Sequence, residues 1–256
     1  MKTTFKLFTI LAFFSLSMIS AQAQHYKLHQ YERKVDFVIK AGINLSDLTG
    51  FHHSTNMKLG YNVGLNINYN LSPKVYLYSG LELLNKGANY TYTEEWTEYD
   101  MTIKDSRMNM IYLQIPLHAG YKIKLNEKNR LSFHAGPYMA FGIGGKRTFG
   151  DKVTKKYHHQ ESAETITLEQ YRATVKGFKK HKDIFSDELM KGFDLGIGIG
   201  VRFEHNCFSY GLNYDHGLMD VSRGGNNEKN SHGTLITGPY DRVKNRTGYL
   251  SVGYRF

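Results

Sequence analysis

Several sets of residues in this sequence have types and spacings that catalysis or ligand binding would use. The run Gly196-Ile-Gly-Ile-Gly200 is similar to a loop that holds a nucleotide phosphate. Such a loop must connect a strand to a helix, whereas these glycines alternate with isoleucine inside one continuous strand pattern. We interpret them as small positions on one face of a strand, and the sequence predicts no cofactor.

Two histidine pairs lie near acidic residues and raise the question of a transition-metal site. Adjacent histidines in a strand or loop seldom converge on one ion unless the surrounding geometry is fixed. We therefore interpret these residues as solvated loop positions and predict no metal. The candidate ligands are His52, His53, His158, His159, Asp151, Glu161 and His181.

A loop-sited enzyme would use histidines and carboxylates in the long polar segments. The best candidates are His52, Asp100, Asp220 and His232. No spacing links them into a set of nucleophile, base and orienting residue, and a chain with 12 His offers such coincidences. The sequence therefore predicts no catalytic residue.

The C-terminal segment indicates the fold class of the chain, which the candidates above do not. From Gly248 to Phe256, apolar and polar or small residues alternate, with Leu250 and Val252 on the apolar side. A period of two indicates a strand with one apolar and one polar face. A terminal strand that ends on phenylalanine is typical of the closing strand of an outer-membrane barrel, whose apolar face contacts lipid.

The same alternation recurs along the chain and predicts an all-β, about eight-stranded antiparallel up-and-down transmembrane barrel. The predicted strands are residues 35–45, 59–69, 75–83, 111–123, 131–143, 193–203, 208–214 and 248–256. Short turns at 71–74, 126–129 and 205–207 alternate with long loops at about 46–58, 90–107, 147–190 and 218–244. This asymmetry places the short turns and both mature termini in the periplasm. Pro116 lacks a ladder donor and predicts a bulge.

The N-terminus predicts export. Lys2 and Lys6 precede an apolar run from Leu7 to Ile19, and Ala21-Gln22-Ala23 is a small-residue cleavage site. We therefore divide the chain into a signal peptide at 1–23, a periplasmic lead-in at 24–34 and the barrel at 35–256. The mean hydropathy of −0.47 is compatible with a barrel because its strands carry a weak hydropathy signal. The single cysteine excludes an intramolecular disulfide framework.

Charged residues on the inner parity define the first predicted site. Since a lone buried charge is costly, we expect them to form an internal network of ion pairs and hydrogen bonds in a filled lumen. For Arg255 in particular we expect a neutralising contact with Glu82, Asp194 or Asp215. The predicted inward charges are Lys40, Glu82, Lys122, Asp194, Arg202, Glu204, Asp215 and Arg255.

Aromatic residues on the outer parity define the second predicted site. They lie at the predicted periplasmic ends of the strands, where a membrane interface favours tyrosine and phenylalanine. We expect them to form one girdle and an assembly signal. Its members are Tyr69, Tyr121, Phe133, Phe203, Phe208, Tyr254 and Phe256.

Three motifs carry a resemblance to a known family. Ile111-Tyr-Leu-Gln-Ile-Pro-Leu117, Phe133-His-Ala-Gly-Pro-Tyr138 and Phe193-Asp-Leu-Gly-Ile-Gly198 resemble the PorT-like outer-membrane β-barrels over essentially the whole mature chain. The resemblance implies a small barrel. The family's namesake is associated with protein secretion across the outer membrane, but no residue here carries that role over.

From these observations we expect a monomeric, non-catalytic outer-membrane protein acting in surface interaction, envelope integrity or export. The alternatives are a narrow channel for small solutes and a loop-sited membrane enzyme. The net charge of +10 favours lipopolysaccharide over nucleic acid, which an exported protein seldom meets. Further expected partners are outer-membrane lipid, the barrel-assembly machinery and an unidentified protein at the loops.

Deletion of Phe256 tests the assembly signal. The resemblance implies that the insertion machinery reads the terminal aromatic residue, so the deletion should lower the amount of barrel in the outer membrane while hardly changing its packing. Membrane fractionation and heat-dependent mobility on a gel measure the two effects. Normal membrane insertion of the deletion variant would contradict this expectation.

Overall fold

The computed structural model describes residues 33–51, 55–95, 97–158, 163–174, 181–185, 190–222, 228–229, 235–236 and 240–256. Within these ranges the chain forms antiparallel strands and one short helix. The elements are β1 Val35–Phe51, β2 Thr55–Asn56, β3 Lys58–Asn70, β4 Val75–Glu95, β5 Tyr99–Lys124, β6 Asn129–Thr148, β7 Lys152–Tyr157, β8 Ala163–Thr167, α1 Leu168–Thr174, β9 His181–Asp183, β10 Phe193–His205, β11 Phe208–Gly217, β12 Glu228–Lys229, β13 Leu235–Ile236 and β14 Tyr240–Arg255.

Eight of these strands close into a ring, which confirms the predicted antiparallel barrel. Their order is β4-β3-β1-β14-β11-β10-β6-β5, and the pairing of β4 with β5 completes it. Following the paired residues once around the ring from Lys74 leads back to β4 at Leu84, an offset of ten residues. With eight strands, this offset corresponds to a strand tilt of about 40° and an interior that side chains fill.

The burial pattern of the ring is the reverse of the pattern in a soluble protein. On β3, Leu59 is 65% and Leu65 is 62% exposed, whereas Asn62 and Asn66 are each 1% exposed. The apolar side chains therefore point out of the barrel and the polar ones point into it. No helix among the described residues is long and apolar enough to cross a membrane.

The two ends of the barrel differ. One, here called the turn end, carries the short turns at 71–74, 125–128 and 206–207. At the other, the lobe end, β4 has 21 residues and β5 has 26, although a spanning strand needs only about 9–11. The segments predicted as loops at 46–58, 90–107, 147–190 and 218–244 therefore contain strands and, in one case, a helix.

All four predicted loops contain extensions of ring strands or added strands; in 46–58 these are the end of β1 and all of β2. β4 and β5 continue pairing to Glu95 and Asp100, so much of 90–107 is a hairpin. β7, β8, α1 and β9 lie within 147–190, and β14 begins at Tyr240, inside 218–244. A polar sequence predicts a loop, but cross-strand hydrogen bonds hold a polar strand once its neighbour is in place.

The predicted bulge at Pro116 is wrong. The register of β5 with β6 is the same at Pro116 and at Ala119. On the other side, pairing with β4 resumes at Gln114 in unchanged register after omitting the positions opposite Gly80 and Leu81. The missing proline donor is therefore accommodated by a local gap in the ladder.

Gly42 lies where the first and last ring strands meet, and it allows them to approach closely. A Cβ atom there would lie 1.8 Å from the backbone oxygen of Leu250 on β14. At Gly248, on the same strand pair, an added Cβ meets nothing within 4 Å. Gly42 is therefore required for the closing seam, and Gly248 is not.

We expect Gly42→Ala to destabilise the folded barrel by at least about 3 kcal/mol, because neither backbone can move without losing ladder hydrogen bonds. The matched control Gly248→Ala should stay within about 0.5 kcal/mol of the parent protein. Urea unfolding in lipid vesicles measures both variants. Equal midpoints for the two would show that the seam tolerates a side chain at Gly42.

Candidate functional site in the barrel interior and the lobe

At the turn end, the barrel interior contains a compact polar group. Lys122 Nζ lies 3.5 Å from Asp36 Oδ2 and donates to Asn70 Oδ1 at 2.6 Å. Asn70 in turn donates to the same Asp36 oxygen at 3.1 Å. The charge of Lys122 on β5 is thus neutralised by a carboxylate of β1, three strands away around the ring.

Arg255 also binds at the turn end, but not to the expected partner. Its Nη1 lies 3.5 Å from Glu204 Oε2, and its Nη2 donates to the backbone oxygen of Asn206 at 2.9 Å. Arg255 is the last residue of β14, so it is level with the end of β10, where Glu204 lies. The expected partners were instead three carboxylates farther along the barrel: Glu82, Asp194 and Asp215.

Glu82 is the centre of the interior network. It is fully buried and accepts from Lys40 Nζ at 2.8 Å, from Tyr78 OH at 2.5 Å and from Asn66 Nδ2 at 2.8 Å. The Lys40 ammonium also lies 5.2 Å from the ring centroid of Tyr249. All three donors reach Oε1, and the ammonium of Lys40 neutralises the charge of this buried carboxylate.

Arg202 connects the turn-end group to the centre. It donates to Asn68 Oδ1 at 3.2 Å, and its guanidinium lies 4.9 Å from the ring centroid of Tyr78. Glu204 lies 4.0 Å from the same side chain. Because arginine can stack and donate at the same time, one side chain bridges two layers of the interior.

Toward the lobe end, two further carboxylates are held by neutral donors. Asp215 accepts from Gln114 Nε2 at 2.8 Å, and Gln114 accepts from Lys86 Nζ at 2.7 Å. Asp194 accepts from Tyr138 OH at 3.2 Å and from Asn245 Nδ2 at 2.9 Å. Each of the eight predicted inward charges contacts at least one other side chain of the barrel, and these contacts fall into three layers.

Two charged residues of this network are absent from the set predicted from the sequence. Lys86 is 0% and Asp36 is 5% exposed, and both make the contacts described above. Each shares the parity of a predicted inward charge, Glu82 on β4 and Lys40 on β1. Asp36 lies within the predicted strand 35–45, so its parity alone would have included it. Extending the alternation of β4 beyond residue 83 would have added Lys86.

The glycine run on β10 is explained by the side chains that it faces. A Cβ atom at Gly198 would lie 2.6 Å from Asp215 Oδ1, and one at Gly200 would lie 2.3 Å from His134 Nε2. His134 also contacts Asn213 Oδ1 at 3.0 Å and stacks on His118 at 5.3 Å. The glycines make room for the interior network, and they lie within a strand.

An apolar cluster fills the barrel mouth at the lobe end. Ile184 and Met190, from the segment after β9, pack there with Val221 and with residues of the ring strands. Backbone hydrogen bonds hold this segment: Ile184 N donates to Gly145 O at 3.4 Å and Met190 N to Ile184 O at 3.2 Å. The cluster comprises Leu48, Ala88, Tyr90, Met108, Met110, Tyr112, Tyr138, Ala140, Ile184, Met190, Val221 and Val243.

Beyond the mouth, the ends of β4 and β5, with β7, β8 and α1, form a lobe with its own core. Six buried side chains make up this core: Met101, Ile103, Phe149, Val153, Leu168 and Tyr171. Thr167 caps α1, since its Oγ1 accepts from Gln170 N at 3.2 Å and its own N donates to Gln170 Oε1 at 2.9 Å. Burial raises the pKa of Tyr171 to about 12.

The opposite face of the lobe sheet is polar. Four threonines occupy paired positions across its four strands: Thr93, Thr102, Thr154 and Thr165. The hydroxyls of Thr154 and Thr165 lie 3.3 Å apart. α1 covers the apolar face of the sheet, so the lobe presents its hydroxyl-bearing face outward.

Among the described metal and catalytic candidates, one pair is in contact. His158 Nε2 contacts Asp100 Oδ1 at 2.9 Å, and this hydrogen bond raises the pKa of His158. Asp220 accepts from Ser222 Oγ at 2.7 Å, away from that pair. The described residues contain no group of three side chains that could hold a metal ion. His52, His53, His159, Glu161 and His232, and the side chain of His181, lie outside the described residues.

The predicted aromatic residues lie on the outer surface at the turn end. Tyr121 and Phe133 are direct cross-strand partners, 45% and 43% exposed. Tyr254 forms edge-to-face contacts with Phe208 at 5.7 Å and Phe256 at 5.1 Å. Tyr69 is 37% and Phe203 is 38% exposed, also near strand ends.

A closed barrel with an apolar outer belt and a polar interior defines the class of bacterial outer-membrane β-barrels. A family model described as outer membrane protein beta-barrel domain matches residues 21–223. The chain therefore belongs to this family, and its location is the outer membrane. No curated protein matches it by sequence.

Solved structures similar to the chain are outer-membrane barrels. Ail, the attachment invasion locus protein of Yersinia pestis, in complex with a heparin analogue, is 15% identical, with a TM-score of 0.38 and coverage of 88% of this chain and 100% of Ail. Neisserial surface protein A is 8% identical, with a TM-score of 0.38 and coverage of 88% and 98%. The outer membrane protease OmpT from Escherichia coli is 10% identical, with a TM-score of 0.43 and coverage of 87% and 96%.

We expect Lys40→Met to destabilise the barrel by about 3–5 kcal/mol, because it leaves the Glu82 carboxylate buried without its cation. Adding Glu82→Gln should recover much of this loss, since glutamine still contacts Tyr78 and Asn66 without a charge. Urea unfolding in vesicles measures the series. The control Lys124→Met, at an exposed lysine, should change stability by less than about 0.5 kcal/mol. Additive effects of Lys40→Met and Glu82→Gln would contradict the pairing.

Proposed function

We propose that this protein is a non-catalytic outer-membrane barrel of the PorT-like type that contacts partners at the cell surface through its lobe. The observation that carries the proposal is the lobe's separate core, formed by Leu168, Tyr171 and the side chains packed with them. Spanning the bilayer does not require β5 to have 26 residues or α1 to be capped. The three quoted sequence motifs support the PorT-like assignment.

The orientation follows from the connections. Short turns of outer-membrane barrels face the periplasm and long connections face outward, and this rule supports a lobe outside the cell. Its exposed face offers hydroxyl groups and, beside them, the paired side chains of Glu95, Asp100 and Lys156. Such a surface suits hydrogen bonding with a polar partner, either another protein or the sugars of lipopolysaccharide. We infer that the protein acts as a monomer, which is supported by a ring that closes within one chain.

A filled interior supports a structural rather than a conducting role. The apolar cluster closes the mouth, and the layer around Glu82 is occupied by Lys40, Tyr78 and Arg202. The runner-up is a narrow channel, favoured by His118, whose two buried ring nitrogens have no hydrogen-bond partner in the described part of the chain. Water between such groups would provide a path for small solutes.

The proposal is tested by replacing residues 152–174 with a short glycine-serine linker, which removes β7, β8 and α1 but leaves Ile184 and Met190 in the mouth. Cross-linking on intact cells should recover fewer surface partners, while heat-dependent mobility shows that the barrel still folds. A matched control, Glu169→Ala on the exposed side of α1, should keep the lobe folded. An unchanged partner set after removal of the lobe would refute the surface role.

Planar-bilayer recordings distinguish the narrow channel from the filled barrel. Purified parent protein should show no single-channel steps, because the mouth is closed by apolar side chains. Reproducible steps from well-folded protein would favour the channel over the filled barrel.

A further inference from the structure

The outer surface of the barrel has a groove at the turn end. Its volume is about 840 Å³, and its floor includes Ala119 and Ala135, which are direct cross-strand partners. Tyr121 and Phe133, the next outward pair toward the turn end, form one wall. Two alanines beside two aromatic residues make a depression in a surface that otherwise carries large apolar side chains.

The groove runs obliquely into the membrane. Its length follows a row of paired residues that crosses five strands: Ala119, Ala135, Ile199, Tyr214 and Gly248. At strand spacings of about 4.8 Å and a tilt of about 40°, this row climbs by about 12 Å. One leaflet of the hydrocarbon core is about 15 Å deep, half of about 30 Å. The groove therefore matches the depth of one acyl chain.

Basic residues lie at the turn end of the groove. Lys74 directly precedes Val75, which lines the groove and pairs with Tyr121, and Lys122 N donates to Lys74 O at 2.7 Å. Lys124 ends β5, three residues beyond Tyr121, or about 10 Å along the strand. Both lysine side chains are exposed. Lys74 pairs with Lys122 and Lys124 shares its parity, so both extend from the rim of the barrel and not from its lipid-facing side. The next turn adds Lys128 and Arg130 against one acidic residue, Glu127.

We propose that this groove is a binding site for an anionic phospholipid of the periplasmic leaflet. One acyl chain lies on the Ala119–Ala135 floor between the aromatic wall and the outward residues of β10 and β11. The phosphate-bearing headgroup lies at the interface, within reach of Lys74 and Lys124. Tyrosine and lysine at the membrane interface provide a hydrogen-bond donor and cations for such a headgroup.

The positive charge of the turns favours an anionic lipid over a second copy of the chain. A second copy of the chain would bring the same lysines toward each other, whereas an anionic lipid neutralises them. Lipopolysaccharide belongs to the leaflet at the lobe end, away from these turns. The proposal uses the orientation given above but does not depend on the surface role of the lobe.

The test counts bound lipid by native mass spectrometry on the full mature protein, folded in a neutral detergent and titrated with phosphatidylglycerol or phosphatidylcholine. The parent protein should retain one phosphatidylglycerol at concentrations where phosphatidylcholine is lost. Ala135→Phe should lower this retention at least about tenfold because the new ring occupies the groove. Ala41→Phe is the matched control: Ala41 is also an exposed, outward residue at similar depth, on β1, outside the groove.

The headgroup is tested separately. Lys74→Ala combined with Lys124→Ala should remove the preference for phosphatidylglycerol while urea unfolding shows the barrel to be intact. Equal retention by Ala135→Phe and Ala41→Phe would overturn the site. Equal retention of the two lipids by the parent protein would overturn its selectivity for an anionic headgroup. Neither result bears on the lobe, whose partners are measured on cells.

Discussion

Backbone hydrogen bonding between the first and last strands of the ring is the constraint on which the rest of this structure depends. Inside a bilayer an unpaired backbone group costs several kcal/mol, so a sheet can span it only if no edge remains. β1 and β14 pair from Val38–Arg255 to Thr49–Lys244 without a break in register, and this seam removes both edges. The close approach at Gly42 follows from that requirement.

Closure also decides where each kind of side chain lies. Since lipid surrounds the ring, the apolar face of every strand points outward, and the interior must accept the polar face. Glu82, Asp194 and Asp215 are nearly inaccessible, so each needs donors at short range. The interior thus replaces a hydrophobic core by a hydrogen-bonded one, and tyrosines such as Tyr78 provide both volume and a donor.

The lobe end follows different rules because it lies beyond the apolar belt. There α1 and the sheet bury Met101, Ile103 and Leu168 in the manner of a soluble domain. The apolar cluster at the mouth separates this small core from the polar interior. Along the barrel axis the chain therefore contains three environments: the polar interior, the apolar cluster at the mouth and the small core of the lobe.

The sequence by itself determined the number of ring strands, their lipid-facing sides and the positions of the short turns. These features follow from alternation of period two, which is local and needs no knowledge of partners. It also placed Lys40, Glu82 and Arg202 on the inner parity. The extensions of β4 and β5 escaped it because the alternation is interrupted where their register shifts between Tyr90 and Tyr92. On β5 the buried apolar residues are Met101 and Ile103 on one side of the shift and Met108 and Met110 on the other, so the period of two does not continue through it.

Only the tertiary structure decided which residues meet. Arg255 contacts Glu204, and not a carboxylate of the central layers, because an offset of ten residues around the ring sets which positions are level. The same offset brings Asp36 to Lys122 and lets Ile184 and Met190 enter the mouth. Register between distant strands is a property of the closed ring, so no single segment of the sequence contains it.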